Sequence, residues 1–211
     1  MAYTTLIIDF DGVVADTNES VSDYLAKTFF RSKYWALTKV FETALHNYPN
    51  KLSWIRKFFS TGYYNYLIKQ NALGLQEISL LKFQPVLDIL RDLPHKKILL
   101  TSNYQSTCEL ILGQDKDIFG QIITFDNVIS KSQGLEFLSN QGLDLSKCLF
   151  VTDTLGDIEE FQRHISAEQI FGVTWGFHPN SVIATVLPST QIFQKFSDLK
   201  KFVTSDYSQS V

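Results

Sequence analysis

The sequence predicts a doubly wound parallel α/β sheet carrying an inserted helical segment, and three features predict it. Short apolar runs of strand length alternate with stretches whose apolar residues recur at helical spacing, an order that places helices on both faces of a parallel sheet. One stretch, from about Thr17 to Lys82, breaks the alternation: it holds helical spacing only, as in Val21, Leu25 and Phe29 and again in Ile55, Phe58 and Phe59. Acidic residues stand where two of the runs end, Asp9 and Asp11 after one, Asp153 and Asp157 after another. Ligands of such sheets sit beyond the strand carboxyl ends.

The first strand is read at Thr5 to Ile8, an apolar run without alternation, as a strand buried on both faces should be. It delivers Asp9 and Asp11 to its end, and Gly12 marks a turn where the backbone can come close to a ligand. Two anions side by side there need a cation, a shared proton or an arriving substrate to offset repulsion and desolvation. Magnesium binds through one or two carboxylates plus waters and substrate phosphate, so the local reading is a magnesium and phosphate site. Alone, Asp-x-Asp is equally an ordinary turn or helix cap.

The inserted helices open with Asp16 or Thr17 as a cap and Glu19 in the first turn. The segment is too long for an ordinary connection, and such insertions are usually functional. From Asn18 to Gln84 nine basic residues face four acidic ones, so a basic insertion over an acidic floor would attract a phosphorylated substrate. Taken singly, most of these side chains read as solvated helix surface. Its aromatic residues, Trp35, Tyr48, Trp54, Phe58, Tyr63, Tyr64 and Tyr66, read first as core and second as a substrate pocket.

A second strand at Lys97 to Thr101 ends in Ser102 and Asn103, where a short hydroxyl can donate to a phosphoryl oxygen without adding charge. Thr101 competes with Ser102 for that place. A third strand is read at Gln121 to Thr124. Lys131, before a helix at Ser132 to Asn140, can neutralise charge on phosphoryl oxygens, although a lone lysine reads as surface. The fourth strand, Cys148 to Thr152, repeats the strand-to-carboxylate pattern with Asp153, and Asp157 follows near the first turn of the next helix. A fifth strand at Gln169 to Val173, a weak one near Ile192 and a helix at Asp198 to Val203 complete the order, with Thr204 to Val211 frayed.

At 211 residues with 45% hydrophobic content, the chain fits one domain with a sizeable insertion and can bury a proper core. The net charge of -3 gives no basic signature for nucleic acid or an anionic membrane, and no apolar run reaches bilayer length. No basic region precedes the first apolar run, so no signal peptide is expected. Cys108 and Cys148 lack Cys-x-x-Cys spacing, which argues against a disulfide framework and for the cytoplasm.

Asp-x-Asp, then Ser or Thr, then Lys, then Asp-x-x-x-Asp, each after a Rossmann-like strand, resembles the haloacid dehalogenase superfamily of phosphohydrolases. The likeness runs from Asp9 to Gly172-Val-Thr-Trp-Gly-Phe177, which is similar to a glycine-rich stretch of its phosphoglycolate-phosphatase-like members. It implies a core of residues 1–16 and 83–204, a helical cap domain of residues 17–82, and a flexible tail of residues 205–211. It also implies roles: Asp9 as nucleophile forming an aspartyl-phosphate, and Asp11 as acid then base with a pKa above that of Asp9. Ser102 and Lys131 would hold the transferring group, with Gly12 and Asn103 beside it. Magnesium would lie between the Asp9 carboxylate, the Asp11 backbone carbonyl and the Asp153 carboxylate, with Asp157 close by. The implied partner is a small phosphorylated metabolite.

Two departures weaken the phosphoglycolate assignment: Lys131-Ser132 stands where Lys-Pro is typical, and Thr152-Asp153 where Gly-Asp is. A dehalogenase proper would lack Asp11, and a metal-dependent glycosyltransferase would leave Ser102, Lys131 and Asp157 unexplained. A receiver domain is shorter and lacks the insertion, and a non-catalytic binding module should have lost an acid. A sugar-phosphate mutase or a phosphonate hydrolase stays open, the latter wanting a cap lysine such as Lys27, Lys51 or Lys57, and so does a non-catalytic module that binds a phosphorylated ligand or a protein. Arg56 and Lys57 are further candidates for substrate contact.

Overall fold

The computed structural model describes residues 3–45 and 53–208, with the backbone alone for residues 43–45, 53–58 and 204–208. Six parallel strands form one sheet: β1 (Thr5–Ile8), β2 (Lys96–Leu100), β3 (Gln121–Ile123), β4 (Cys148–Thr152), β5 (Ile170–Val173) and β6 (Ile192–Phe193). Their order is β3-β2-β1-β4-β5-β6, so β1 is central and the order reverses beside it, where open α/β sheets bind ligands. In register, Ile8 pairs with Leu99 of β2 on one side and Val151 of β4 on the other. The next residues along the three chains are therefore Asp9, Leu100 and Thr152.

Period-two alternation sends neighbouring strand residues to opposite faces. Leu6, Ile8, Leu99, Val151 and Phe171 join one core, while Ile7, Ile98, Leu100, Phe150 and Ile170 join the other. Burial on both sides is why the strands read as unbroken apolar runs. The first face is covered by α4 (Gln84–Asp92), α5 (Gln105–Leu112) and α9 (Phe196–Ser208). The second is covered by α6 (Lys131–Asn140), α7 (Leu155–Phe161) and the single-turn α8 (Asn180–Ile183). Packing on the second face is tight: the Phe150 and Phe161 rings stack with centroids 3.5 Å apart.

Between β1 and α4 the chain forms α1 (Asn18–Phe29), α2 (Lys33–Leu45) and α3 (Ser53–Ala72). Its entry and exit lie side by side. Asp16 N donates to Leu81 O at 2.5 Å and Phe83 N to Val14 O at 2.9 Å, so the helical insertion joins the sheet through two paired crossings. Aromatic packing binds the insertion together: Tyr24 lies 5.7 Å from Tyr63 and 5.6 Å from Tyr66, and Phe29 lies 5.5 Å from Phe59. Of the aromatic residues named from the sequence, Tyr63 is buried and also lines the cavity, whereas Trp35, Tyr64 and Tyr66 are half-buried. Tyr48 lies outside the described residues, as do the side chains of Trp54, Ile55 and Phe58.

Three local expectations change. Thr17 takes the N-cap position of α1, but it has αR backbone angles and its side chain accepts no bond from the helix. Lys131 is the first residue of α6 rather than the one before it, because Ser130 caps the helix by accepting from Gln133 N at 3.2 Å. The backbone of α9 continues to Ser208, five residues past the expected end, and residues 209–211 lie outside the description.

Candidate active site

The carboxyl ends of β1, β2 and β4 and the first residue of α6 bring the predicted polar residues to one cleft. Asp9 is 4% exposed. Its Oδ1 accepts from Phe10 N at 2.7 Å, and its Oδ2 lies 2.6 Å from Lys131 Nζ. Lys131 reaches Asp157 Oδ2 at the same 2.6 Å, so one ammonium bridges two carboxylates from different elements. Although the lone lysine reads as surface, this one is only 5% exposed. Burial alone would lower its pKa, but Asp157 and Asp9 more than offset that and hold it above its ordinary value.

Asp11 is turned another way. Thr17 donates to its Oδ1 at 2.6 Å, and Asn103 Nδ2 lies 3.3 Å from both of its oxygens. Ser102 is exposed and lines the cleft beside Asn103. Thr101 is buried, with its hydroxyl accepting from Asn103 N at 3.0 Å as part of the turn. Of the two competitors, Ser102 is the one that faces the cleft.

Asp153 is fully buried. Its Oδ2 accepts from Phe177 N at 2.6 Å, whereas its Oδ1 has no hydrogen-bond partner among the described residues. Gly12, at φ +71°, and Gly176 both press against this carboxylate; a Cβ at either position would overlap it. Trp175 Nε1 donates to Val13 O at 3.2 Å, completing the packing of the glycine-rich loop on the turn after β1.

Burial raises the pKa of all three central acids. Asp153 is pushed up to about 7, chiefly by desolvation and partly by Asp157 and Asp11. Asp11 is raised by burial against the opposing pull of Thr17, Lys131 and Asn103. Asp9 is raised well above its ordinary value by burial, with Asp157 and Asp153 adding to it and Lys131 opposing. The larger push falls on Asp9, the reverse of the expected split; burial is the main cause at both, and at Asp9 the Asp157 and Asp153 charges add to it.

The donor set fits a hard divalent cation. A buried carboxylate oxygen without a partner, and neighbouring acids crowded around a single lysine, are what a bound cation would relieve. Among the described residues no three His, Cys, Asp or Glu side chains gather closely enough to hold an ion alone. Magnesium does not require that, since it binds through one or two carboxylates and completes its shell with other oxygens.

Above these groups lies a cavity of about 410 Å³, whose lining includes Asp9, Asp11, Ser102, Asn103, Lys131 and Asp157 below and residues of α1, α2 and α3 above. Sequence reasoning missed several contributors. Thr17 has the position of a cap, Thr152 stands out in the sequence only as a departure from a pattern, and Lys39, which lines the cavity from α2, is there only one of the insertion's nine basic residues. Lys27 turns instead to Tyr66, 3.2 Å from its hydroxyl. Lys51 and the side chains of Arg56 and Lys57 lie outside the described residues.

The site thus sets aspartates at adjacent strand ends, a lysine joining Asp9 to Asp157 of α7, and a helical insertion above them. A family model described as haloacid dehalogenase-like hydrolase matches residues 3–164, and the chain belongs to that family. No curated protein matches the sequence. Among solved structures, one described as a predicted phosphatase from Clostridium acetobutylicum is 15% identical, covering 97% of this chain and 100% of that one with a TM-score of 0.68. A structure described as a predicted phosphoglycolate phosphatase from Haemophilus somnus is 18% identical, covering 95% and 97% with a TM-score of 0.65. CbbY from Rhodobacter sphaeroides, solved in complex with phosphate, is 13% identical, covering 93% and 96% with a TM-score of 0.60. At these identities the likeness is one of fold. Among the described residues no helix is long and apolar enough to cross a membrane.

Proposed function

We propose that this protein is a magnesium-dependent phosphohydrolase that cleaves a small phosphorylated metabolite through an aspartyl-phosphate on Asp9, with residues 17–82 acting as a cap domain on a core of residues 1–16 and 83–204. The observation that carries the reading is the convergence of Asp9, Asp11, Ser102 and Lys131 on one cleft roofed by the insertion. Two cysteines, both free and buried, suit a cytoplasmic protein.

In the first step a carboxylate oxygen of Asp9 attacks phosphorus, the ester P–O bond breaks, and its electron pair leaves with the alcohol oxygen, which takes a proton from Asp11. In the second, Asp11 accepts a proton from water as that water attacks phosphorus, and the bond to Asp9 breaks to release phosphate. Ser102 and Asn103 donate to phosphoryl oxygens and Lys131 offsets their charge. Thr17 and Asn103 hold Asp11 at the cleft while burial keeps its proton available at higher pH than an ordinary carboxyl would allow. The Asp9 and Asp153 carboxylates and the Asp11 backbone carbonyl would hold magnesium, with Asp157 nearby. The ion would supply positive charge that favours the ionised nucleophile and polarises the phosphoryl group. Closure of the cap would exclude bulk water from the acyl phosphate.

The test is hydrolysis of an aryl phosphate with magnesium, with EDTA, and by Asp9→Asn. Chelation and the substitution are each expected to lower the rate by roughly three orders of magnitude. Activity indifferent to both would remove the proposal.

A further inference from the structure

The floor of the cavity is polar, whereas its upper wall is mainly apolar, with Ser60 and Lys39 as its polar members. Val21 and Leu25 from α1, Val40 from α2 and Phe59 from α3 line it, together with the rings of Tyr24 and Tyr63. The two tyrosines pack on each other with centroids 5.7 Å apart, and the Tyr63 hydroxyl is bonded to Ser20, so that residue offers the cavity its ring rather than a hydrogen bond. Among the described residues of the insertion, the charged group in the lining is Lys39, and it sits 2.6 Å from Glu42.

Below, the donors are those that a phosphoryl group would occupy, which leaves the wall to meet the alcohol. A polyol there would exchange much of its hydration for hydrocarbon, with few polar groups of the wall to replace it, and a carboxylate would do so at greater cost. A two-carbon alcohol would also leave much of the cavity, about 410 Å³ in all, to water. An uncharged body with a flat ring fills such a space and gains from aromatic walls.

We infer that the substrate is a phosphate monoester whose alcohol carries an uncharged, ring-bearing hydrocarbon body, rather than a short hydroxy acid or a sugar. This rests on the phosphohydrolase reading of the floor. The wild-type protein with magnesium is assayed on benzyl phosphate, phosphoglycolate and glucose 6-phosphate, all esters of primary alcohols. Benzyl phosphate should show a kcat/KM at least tenfold above the other two. Equal or reversed values overturn the inference. Binding of the same three compounds to Asp9→Asn, read by titration calorimetry, separates the two readings. If no ester is hydrolysed by the wild type, the phosphohydrolase reading falls, while a tenfold tighter fit of benzyl phosphate still supports the wall's preference and its absence overturns it. Phe59→Ala should lower kcat/KM for benzyl phosphate at least fivefold and bring its ratio to glucose 6-phosphate towards one; an unchanged ratio counts against the inference.

Discussion

The Thr152 hydroxyl has one proton and two carboxylate oxygens within reach, Asp157 Oδ2 at 3.0 Å and Asp9 Oδ2 at 3.3 Å, while Thr154 N donates to it at 3.4 Å. The same two carboxylate oxygens are bridged by Lys131, so hydroxyl and ammonium together fix the plane of the Asp9 carboxylate. Thr152→Val keeps the shape and deletes the hydrogen bond, a change worth about 1.5–3 kcal/mol at a charged acceptor, or roughly ten- to 150-fold in rate. We expect kcat to fall by that factor with KM little changed, and Thr152→Ser to recover it; steady-state kinetics of the pair decides. Thr17 has the matching relation to Asp11. Its bond favours the ionised carboxyl, so Thr17→Val should raise the Asp11 pKa further and carry the alkaline limb of the kcat profile to higher pH. Neither role was legible in the sequence. Thr17 has the letter and position of a cap, and only the αR backbone at that residue turns its hydroxyl away from α1 and towards Asp11.

Elements were more legible than contacts, for a physical reason. Strands buried on both faces must be apolar throughout, so β1 and β4 announce themselves, and the acids that follow stand out because the run stops at them. The cavity wall could not be read this way. Val21, Val40 and Phe59 come from three helices and meet only through packing, with no spacing in the sequence to join them. His178 is another such junction. Its Nδ1 accepts from Leu155 N at 3.0 Å, satisfying an amide in the first turn of α7, and its ring lies edge-on to Phe41 of α2 with centroids 4.9 Å apart. One buried ring thus ties the helix that carries Asp157 to the insertion. Burial lowers the His178 pKa and keeps the ring neutral, as an accepting Nδ1 requires. His178→Leu fills the space but strands the Leu155 amide, and should cost about 1–3 kcal/mol in urea unfolding.

Across the whole molecule, part of the insertion's basic charge is paired, some within the insertion and some with the core. Lys33 pairs with Glu19 and Asp23, Lys39 with Glu42, and Lys82 with Asp115. At the floor, among the described residues, Lys131 bridges two buried acids and one oxygen of Asp153 has no partner. Such crowding costs stability that a bound cation returns. Magnesium at a hundred times its dissociation constant should add about 2.7 kcal/mol, a Tm rise of roughly 5–10 °C for a chain of this size. The sign of the pH effect follows from Asp153, whose pKa is raised by folding to about 7. A carboxyl that binds its proton more tightly when folded supports the fold at low pH, and that support is lost as pH rises from its ordinary value near 4 to about 7. Asp153→Asn removes the titration and leaves the other groups in place. In metal-free buffer the variant should therefore gain on the wild type as pH rises through that window and hold a constant lead above it. Magnesium should erase the lead by stabilising the wild type more than the variant. Urea melts of both proteins at pH 4.5, 6 and 7.5, with and without the ion, measure the difference directly, and a lead that shrinks with rising pH would show that Asp153 is not held under electrostatic load.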